Sequence, residues 1–265
     1  LVMTSKLDTL CAYAKGKIAV EALNAQTYIS TENMMPNKGG IVAASSLPSV
    51  QYTQQYLKGD VLVSNIRPYF KKIWMADDDG GCSNDVLVFR ADRGCDSTFL
   101  YYILANDAFF NYASATSKGT KMPRGDKTAI MQYKVPCFNY ETQLRIGKLL
   151  RSIDDRIAVN KKINDNLQQQ LFSLYENMAT ASPCLKEYTL SNLCDFQEGY
   201  VNPPQTHPEY FDGEVKWLRA VDINESFIIE TSRTLTKAGF ESAKKSALLF
   251  EPNTIAISKS GTIGR

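Results

Sequence analysis

The chain has 265 residues, of which 44% are hydrophobic and 22% charged, and its net charge at pH 7 is +2. This length predicts one large or two modest domains, and the composition excludes collagen-like, mucin-like and wholly disordered chains. The sequence contains no apolar run long enough to span a bilayer and no N-terminal secretion signal, so we expect a cytoplasmic protein without a membrane partner. Because the net charge is close to zero, any contact with a polyanion must depend on local basic patches.

The cysteines and the single histidine give no sign of a metal or catalytic site. The six cysteines are irregularly spaced and none belongs to a C-x-x-C pair, so we expect reduced thiols rather than zinc ligands. His207 lies in a proline-rich loop, and no G-x-S-x-G sequence accompanies it. The sequence therefore predicts no metal, no cofactor and no catalytic residue.

The first regular elements are short strands. The run Asp60–Ser64 is typical of a buried strand, and Lys72–Ala76 and Asp85–Arg90 predict two more. The turn sequence Asp77–Gly81 joins the latter two, which predicts a hairpin. Its three aspartates are interpreted as a solvated tip rather than as a calcium or magnesium site.

Helical spacing of apolar residues then predicts one helix over Ser97–Tyr112, with Ser97 as its N-cap. The aromatic residues of this segment are interpreted as core rather than as a stacking platform. A glycine- and lysine-containing loop follows at Thr116–Asp126, and Ile130–Pro136 predicts a strand that ends the first globular unit.

From Glu141 to Met178 the pattern predicts one long helix with a narrow apolar seam. Asn139 is its expected cap and Ser182-Pro183 its expected end, and 38 residues span about 57 Å. Eight of the ten seam positions are apolar over nearly five heptads, which is typical of a coiled coil whose stripe needs a partner helix. The seam positions are Ile146, Leu150, Ile153, Ile157, Asn160, Asn164, Leu167, Leu171, Leu174 and Met178.

Two asparagines occupy the middle of this seam. Asn160 and Asn164 are predicted to fix the register of the pairing, because a buried asparagine needs a polar partner in the facing helix. The alternative is that both face solvent where the seam frays.

An internal repeat predicts a duplicated domain on either side of the long helix. The distance between matched segments grows from 183 to 189 to 194 residues, which places insertions between the matched strands. The matched pairs are Leu7–Gly16 with Leu190–Gly199, Tyr28–Ser30 with Trp217–Arg219, and Val61–Ser64 with Ile255–Ser258.

One string resembles a catalytic motif but lacks what the chemistry needs. Asn202-Pro203-Pro204-Gln205 has glutamine where adenine methyltransferases place the aromatic residue that stacks on the flipped base. No glycine-rich cofactor loop follows a strand either, so we interpret this string as a proline-rich loop.

Positive charge collects in loops rather than over the whole chain. Lysine and arginine beside serine and asparagine donors suit phosphate contacts, and arginine and asparagine also reach base edges. The clusters alone favour a merely solvated basic surface. Two similar domains held apart by a rigid rod would read two half-sites at fixed spacing, and this architecture makes double-stranded DNA the predicted partner. The candidate DNA-binding residues are Asn65, Arg67, Tyr69, Lys71, Lys72, Lys118, Lys121, Arg124, Lys127, Arg219 and Lys259.

The order of several motifs around the long helix resembles the DNA-specificity subunit of type I restriction-modification systems. This resemblance covers essentially the whole chain. The motifs are Met122-Pro123-Arg124, Ile130, Val135-Pro136, Glu141-x-Gln143-x-x-Ile146, the helix with Leu150, Ile153, Asp154 and Ile157, Trp217-Leu218-Arg219 with Asp222-Ile223, and Ile257-Ser258-Lys259-Ser260-Gly261-Thr262-Ile263-Gly264.

The resemblance implies an α+β fold in three parts: a mixed target-recognition domain over 1–138, a coiled-coil spacer helix over 139–182, and an incomplete second recognition domain over 183–265. It implies a non-catalytic subunit that reads one half of a bipartite DNA target. Methylation subunits, and in some systems restriction subunits, are the implied partners. Because the family's second spacer helix is missing from this sequence, we expect the long helix to pair with a second copy, or the chain to be a fragment.

Two other interpretations stay open at this point. The chain is then either a coiled-coil scaffold without a DNA role or the recognition portion of a fused DNA methyltransferase. The scaffold predicts no salt-sensitive binding to DNA, whereas the fusion predicts a cofactor loop and a complete catalytic motif in the same reading frame.

Overall fold

The computed structural model describes residues 3–181, 186–197, 202–224, 227–244 and 248–258. The chain divides into two compact units, Leu1–Thr180 and Ala181–Arg265, and each is described by itself.

The first unit combines short strands with helices, which confirms the predicted α+β class. Its helices are α1 (Ser97–Leu104), α2 (Asp107–Ala115), α3 (Lys127–Met131) and α4 (Tyr140–Ala181). Its strands are β1 (Thr4–Lys6), β2 (Cys11–Tyr13), β3 (Lys17–Ala19), β4 (Tyr28–Ile29), β5 (Tyr52–Tyr56), β6 (Val61–Ser64), β7 (Ile73–Met75), β8 (Gly80–Cys82), β9 (Val86–Ala91) and β10 (Lys134–Pro136).

The first unit contains two four-stranded sheets, and the central strand β6 packs against a hydrophobic cluster on each of its faces. One sheet has the order β2-β9-β6-β7 and the other β3-β5-β8-β4, while β1 pairs with β10. All four residues of β6 are buried. Val61 and Val63 pack in one cluster with Phe99 and Leu100 of α1, whereas Leu62 packs in a second cluster with Tyr56. Alternate side chains of one strand thus serve two hydrophobic layers.

The predicted hairpin is wrong, although its two strands are confirmed. β7 and β9 lie on either side of β6, and both pair with it in antiparallel register. Gly80 and Gly81, which the sequence assigns to the turn, belong to β8 of the other sheet. A Cβ atom on Gly80 would collide with the Thr27 carbonyl oxygen and the Tyr56 ring. Those glycines therefore permit close approach of neighbouring backbone rather than a tight turn.

The predicted helix over 97–112 is divided into α1 and α2. Asn106 interrupts it, because its side chain accepts a hydrogen bond from the Ala108 amide and caps a new helix. Asp96, not Ser97, caps α1 by accepting from the Phe99 amide at 2.8 Å. Short polar side chains compete with the helical ladder for backbone donors, which is why they occupy caps.

The predicted strand over 130–136 is only half right. Residues 127–131 form α3, whose N-cap is the Asp126 carboxylate, and the strand β10 begins at Lys134. Its partner is β1 at the start of the chain, with Ser5 opposite Val135. This pairing closes the first unit immediately before the long helix.

The long helix α4 is confirmed over 42 residues, Tyr140–Ala181, with a length of about 63 Å. The Asn139 side chain accepts from the Thr142 amide at 2.9 Å, as a cap does. The expected end at Ser182-Pro183 lies outside the described residues.

The first turns of α4 are fastened to the first unit by a buried amide. Gln143 is 2% exposed. Its oxygen accepts from the Asp96 amide at 3.1 Å, and its nitrogen donates to the Phe138 carbonyl at 2.9 Å. One turn on, Gly147 leaves no room for a Cβ beside the Asp96 carboxylate. Further along, the Tyr102 hydroxyl donates to the Asp154 carboxylate at 2.7 Å.

The predicted seam is partly buried at its start and exposed over the rest of its length. Ile146 packs against the hydrophobic core of the first unit, and Leu150 is half-buried. From Ile153 to Met178 every seam position is exposed, including Asn160 and Asn164. Within the part of the chain that the structure describes, this apolar stripe has no covering element in its own unit.

The second unit repeats two local structures of the first. Both Leu7–Thr9 and Leu190–Asn192, which lie in matched segments of the predicted repeat, form a 3-10 turn. The Ser30 amide donates to the Asn33 side chain, and 189 residues later the Arg219 amide donates to Asp222. Its regular elements among the described residues are β11 (Phe211–Lys216), β12 (Thr234–Leu235) and α5 (Lys237–Glu241). The segment 255–258, matched to β6, is not a strand.

The described cysteines are free thiols, as the sequence predicted. Cys11, Cys82 and Cys95 are buried, whereas Cys137 and Cys194 are exposed; Cys184 lies outside the described residues. Burial raises the pKa of Cys82 and of Cys95 to about 12. The buried thiols are therefore protonated and unreactive at neutral pH.

We expect the buried amide of Gln143 to be important for stability. Gln143→Ala should lower the free energy of unfolding by about 1–3 kcal/mol, because it leaves the partly buried Asp96 amide without an acceptor. Urea unfolding followed by circular dichroism measures the change. Gln169→Ala, on an exposed stretch of the same helix, is the matched control and should change stability by less than about 0.5 kcal/mol. Equal effects of the two substitutions would contradict the assignment.

Candidate nucleic-acid interface

The two basic loops of the first unit, which the sequence kept apart, are joined in the structure. The Arg67 amide donates to the Pro123 carbonyl at 2.8 Å, and the Gly125 amide donates to the Asn65 carbonyl at 3.2 Å. Ile66 and Arg124 form an antiparallel bridge between them. Within the second loop, Lys118 and Arg124 exchange two backbone hydrogen bonds of 2.8 and 2.9 Å. The loops are thus one continuous backbone surface.

A third segment, which the sequence analysis missed, is attached to the first loop. The Asn37 amide donates to the Phe70 carbonyl and the Lys38 amide to the Lys71 carbonyl, both at 2.8 Å. The sequence Asn37-Lys38-Gly39-Gly40 has the composition of a turn, and this is the signal that was available. Its placement beside Lys71 is a tertiary contact that no local pattern reveals.

We define the basic surface by the cations of these three segments. Its backbone is locally strained, since Lys38, Arg67 and Lys71 have φ values of 62°, 51° and 52°. Left-handed backbone at residues other than glycine is uncommon and is enriched at functional sites. The members of the basic surface are Lys38, Arg67, Lys71, Lys118, Lys121, Arg124 and Lys127.

Three carboxylates hold most of these cations in place. Asp107 contacts the ammonium groups of Lys38 at 2.7 Å and Lys71 at 3.0 Å. Their hydrogen bonds hold the pKa of Asp107 below its usual value. The Lys118 ammonium lowers the pKa of Asp126 in the same way. The carboxylate of Asp85 contacts Nε of Arg124 at 3.1 Å. Seven cations against three carboxylates leave the surface positive.

Two polar atoms beneath the basic surface lack hydrogen-bond partners. Oδ1 of Asn65 and Nε of Arg67 are buried and have no hydrogen-bond partner among the described residues. Such groups carry a cost unless a ligand or water satisfies them. Lys121 and Lys127 are exposed, and no ion pair joins either to another described residue. Asn65 and Arg67 thus sit beside cations that are free to meet phosphate.

Lys72 and Tyr69 occupy different positions from the other candidates. The Lys72 ammonium donates to the Thr31 carbonyl at 2.6 Å and lies 5.9 Å from the Phe70 ring centre. It therefore links two segments of the fold instead of pointing freely to solvent. Tyr69 is half exposed and packs on Phe70 with a centroid distance of 4.8 Å.

The candidates of the second unit lie in less regular surroundings. The Arg219 guanidinium lies over the Trp217 ring at 5.3 Å and donates to the Ser232 hydroxyl at 2.5 Å. Its Nε is buried without a hydrogen-bond partner among the described residues, although it lies 3.9 Å from a carboxylate oxygen of Asp222. Lys259 lies outside the described residues.

The described residues hold no group of histidine, cysteine and carboxylate side chains that could bind a metal ion.

Among the described helices, none has the length and hydropathy that crossing a membrane would require.

Comparison with known proteins identifies the family. The model of the type I restriction modification DNA specificity domain matches residues 2–169, which is more than half of the chain. The specificity subunit of the Escherichia coli type I restriction enzyme EcoDI is 26% identical over 117 residues, covering 43% of this chain and 25% of that protein.

Three solved structures also resemble the chain. One is a chain of a type I restriction-modification system, solved in a study of complex assembly and conformational transition. It has a TM-score of 0.49 and 21% identity, and the match covers 81% of this chain and 59% of that chain. The HsdS subunit of Thermoanaerobacter tengcongensis has a TM-score of 0.48 and 18% identity, and the match covers 84% of this chain and 62% of that subunit. The type I S subunit of M. genitalium has a TM-score of 0.44 and 17% identity, and the match covers 99% of this chain and 67% of that subunit.

The chain is therefore a mixed α+β DNA-specificity protein with a long helix. It belongs to the family of the type I restriction modification DNA specificity domain. This confirms the resemblance drawn from the motifs. The matched family is a DNA-specificity domain, which agrees with the non-catalytic role predicted from the sequence. The chain spans about a quarter of the length of the curated relative it matches and about 60% of the first two structural relatives.

The junction of the two basic loops can be tested at Gly125. A Cβ there would lie 2.8 Å from Cδ1 of Ile130 and 2.9 Å from Oδ1 of Asn65. Gly125→Ala should therefore destabilise the first unit by about 1–3 kcal/mol through overpacking, as measured by urea unfolding. At Gly94 an added Cβ meets nothing within 4 Å. Gly94→Ala is thus the control, and a loss of stability as large as that of Gly125→Ala would argue against the close junction.

Proposed function

We propose that the first unit reads one half of a bipartite duplex DNA target and that the chain directs a methyltransferase complex to it. The observation that carries this proposal is the basic surface, on which three segments distant in sequence are joined by backbone hydrogen bonds. Membership of a DNA-specificity family supports the same conclusion.

The chemistry of the basic surface suits this task. Phosphate contacts from lysine and arginine fix the orientation of a protein on a duplex, and asparagine and arginine groups read base edges in the grooves. Lys121 and Lys127 are the exposed cations for the first role. Arg67, which is half-buried, and Arg124, which is exposed, are the groups for the second role, whereas Asn65 is buried. Because the backbone fixes these groups, little ordering is needed when DNA binds.

The long helix is proposed to act as the spacer between two readers. Its 42 residues span about 63 Å, close to two turns of B-form DNA at about 34–36 Å per turn. The hydrogen bonds of Gln143 at its base hold the first reader in a fixed relation to the helix. The proposed second reader is the second unit, whose 3-10 turn matches that of the first.

Partners follow from this role. A non-catalytic reader of DNA needs a methylation subunit that brings the cofactor and performs the transfer, and in a system that also cleaves it needs a restriction subunit. The proposed partners are therefore duplex DNA and the methylation subunits, with restriction subunits where a system has them. Co-purification with a methylation subunit, followed by mapping of the methylated bases, tests the proposal directly.

Binding to duplex DNA should weaken steeply as salt rises. The double substitution Lys121→Ala with Lys127→Ala should reduce the slope of log K against log salt by about 1.8, because each phosphate contact contributes about 0.9. Fluorescence anisotropy at several salt concentrations measures the slope. Lys148→Ala with Lys161→Ala, on the exposed face of α4, removes the same charge as a control and should leave the slope unchanged. An unaltered slope for the first pair would remove both lysines from the interface.

The exposed seam of α4 is proposed to pair with the same seam of a second copy. From Ile153 to Met178 the stripe is exposed in its own unit. A seam of this period is stable only when a second helix covers it. Asn160 and Asn164 would then face polar partners in the second helix.

Self-pairing can be tested with two neighbouring apolar residues. Leu171 lies on the seam, whereas Phe172 does not, and their exposed fractions are 65% and 59%. Leu171→Ser should weaken the dimer by about a hundredfold or more, since it removes about 1.5–3 kcal/mol of apolar burial from each of the two helices. Analytical ultracentrifugation measures the change. Phe172→Ser should leave the association constant nearly unchanged, and a monomeric wild-type chain at micromolar concentration would refute the pairing.

A further inference from the structure

One carboxylate on the basic surface is shared by two lysines from different segments. Asp107, the first residue of α2, lies 2.7 Å from the Lys38 ammonium and 3.0 Å from the Lys71 ammonium. The two lysines are themselves joined, because the Lys38 amide donates to the Lys71 carbonyl. Two positive charges are thus held side by side and face one anion.

The side chain of Asp107 has no other hydrogen-bond or ion-pair contact among the described residues. The cap of α2 is Asn106, whose side chain accepts from the Ala108 amide at 2.9 Å, so Asp107 is not needed to begin the helix. Its side chain is 56% exposed, and it is therefore open to exchange with a second anion from solvent. The hydrogen bonds of the two lysines keep its pKa low, so it is ionised at neutral pH.

Both lysines adopt an unfavourable backbone conformation. Both have left-handed φ values, 62° and 52°, which are costly for a residue with a side chain. Lys72 shows how a lysine with a structural role is bound in this unit: its ammonium donates to a backbone carbonyl oxygen. Two strained lysines aimed at one exposed oxygen pair form instead a site for an anion with two free oxygens and one negative charge.

We propose that Lys38 and Lys71 form a binding site for one phosphate of the DNA backbone and that Asp107 occupies this site in the free protein. This inference rests on the proposed function. A phosphodiester has two non-bridging oxygens and a single negative charge, as a carboxylate does, and it displaces Asp107 when DNA binds. Until then Asp107 reduces the attraction of the basic surface for any duplex. Since non-specific binding depends almost entirely on phosphate contacts, the effect of Asp107 should be measurable on DNA of any sequence.

The experiment compares Asp107→Asn with the wild-type chain on a duplex of random sequence. The variant should bind about tenfold more tightly at low salt, and its slope of log K against log salt should be steeper by about 0.9 to 1.8. Adding Lys38→Ala and Lys71→Ala to the variant should abolish the whole gain. Glu141→Gln, which removes one negative charge from an exposed ion pair with Arg145 on α4, is the matched control and should bind as the wild type does.

The outcomes separate this inference from the function on which it rests. If the wild type binds DNA with a steep salt dependence but Asp107→Asn leaves affinity unchanged or lowers it, the phosphate site is refuted and the proposed function stands. If the wild type shows no salt-dependent binding to duplex DNA, the proposed function itself fails. Replacing chloride by inorganic phosphate at equal ionic strength should preserve the gain. Its loss in millimolar phosphate would indicate a site for the free anion instead.

Discussion

The proposed reading of DNA depends on how the long helix is fastened to the first unit. Gln143 is the central contact, because its buried amide joins the start of α1, at Asp96, to the segment that leads into α4, at Phe138. Gly147 lets the two helices approach closely one turn later, and Tyr102 reaches Asp154 beyond it. A rod can hold two readers at a fixed distance only if its ends do not swivel. Hydrogen bonds and close packing at the base remove that freedom at the end attached to the first unit.

On the basic surface, carboxylates partly neutralise the cations that would attract DNA. Each of its paired cations meets a carboxylate from a neighbouring element, so the free protein is less positive than its lysines suggest. Such pairs are weak when exposed, and their strength is comparable to that of a contact with DNA phosphate. They can therefore position side chains before DNA arrives and yield when it does. Lys72, bonded to a carbonyl, belongs to the fold rather than to this exchange.

Elements with a strong periodic pattern were predictable, and those defined by one polar side chain were not. The helix α4 and the strands around Val61, Ile73 and Val86 follow directly from local sequence. The break at Asn106 was missed, because apolar spacing continues across it while a single side chain caps a new helix. The hairpin was misassigned for a related reason. Glycine marks both turns and close backbone approach, and only the neighbouring strands show which of the two applies.

For the site, the sequence by itself determined which loops are basic and that a long apolar seam needs a partner. Both are properties of consecutive residues, and composition and period suffice for them. Only the tertiary structure decided that residues 65–72, 117–127 and 36–40 form one surface, that Lys72 is occupied within the fold, and that Lys38 shares an anion with Lys71. These contacts join segments separated by tens of residues, and their geometry is set by the sheets and by the packing of α2, not by any local pattern.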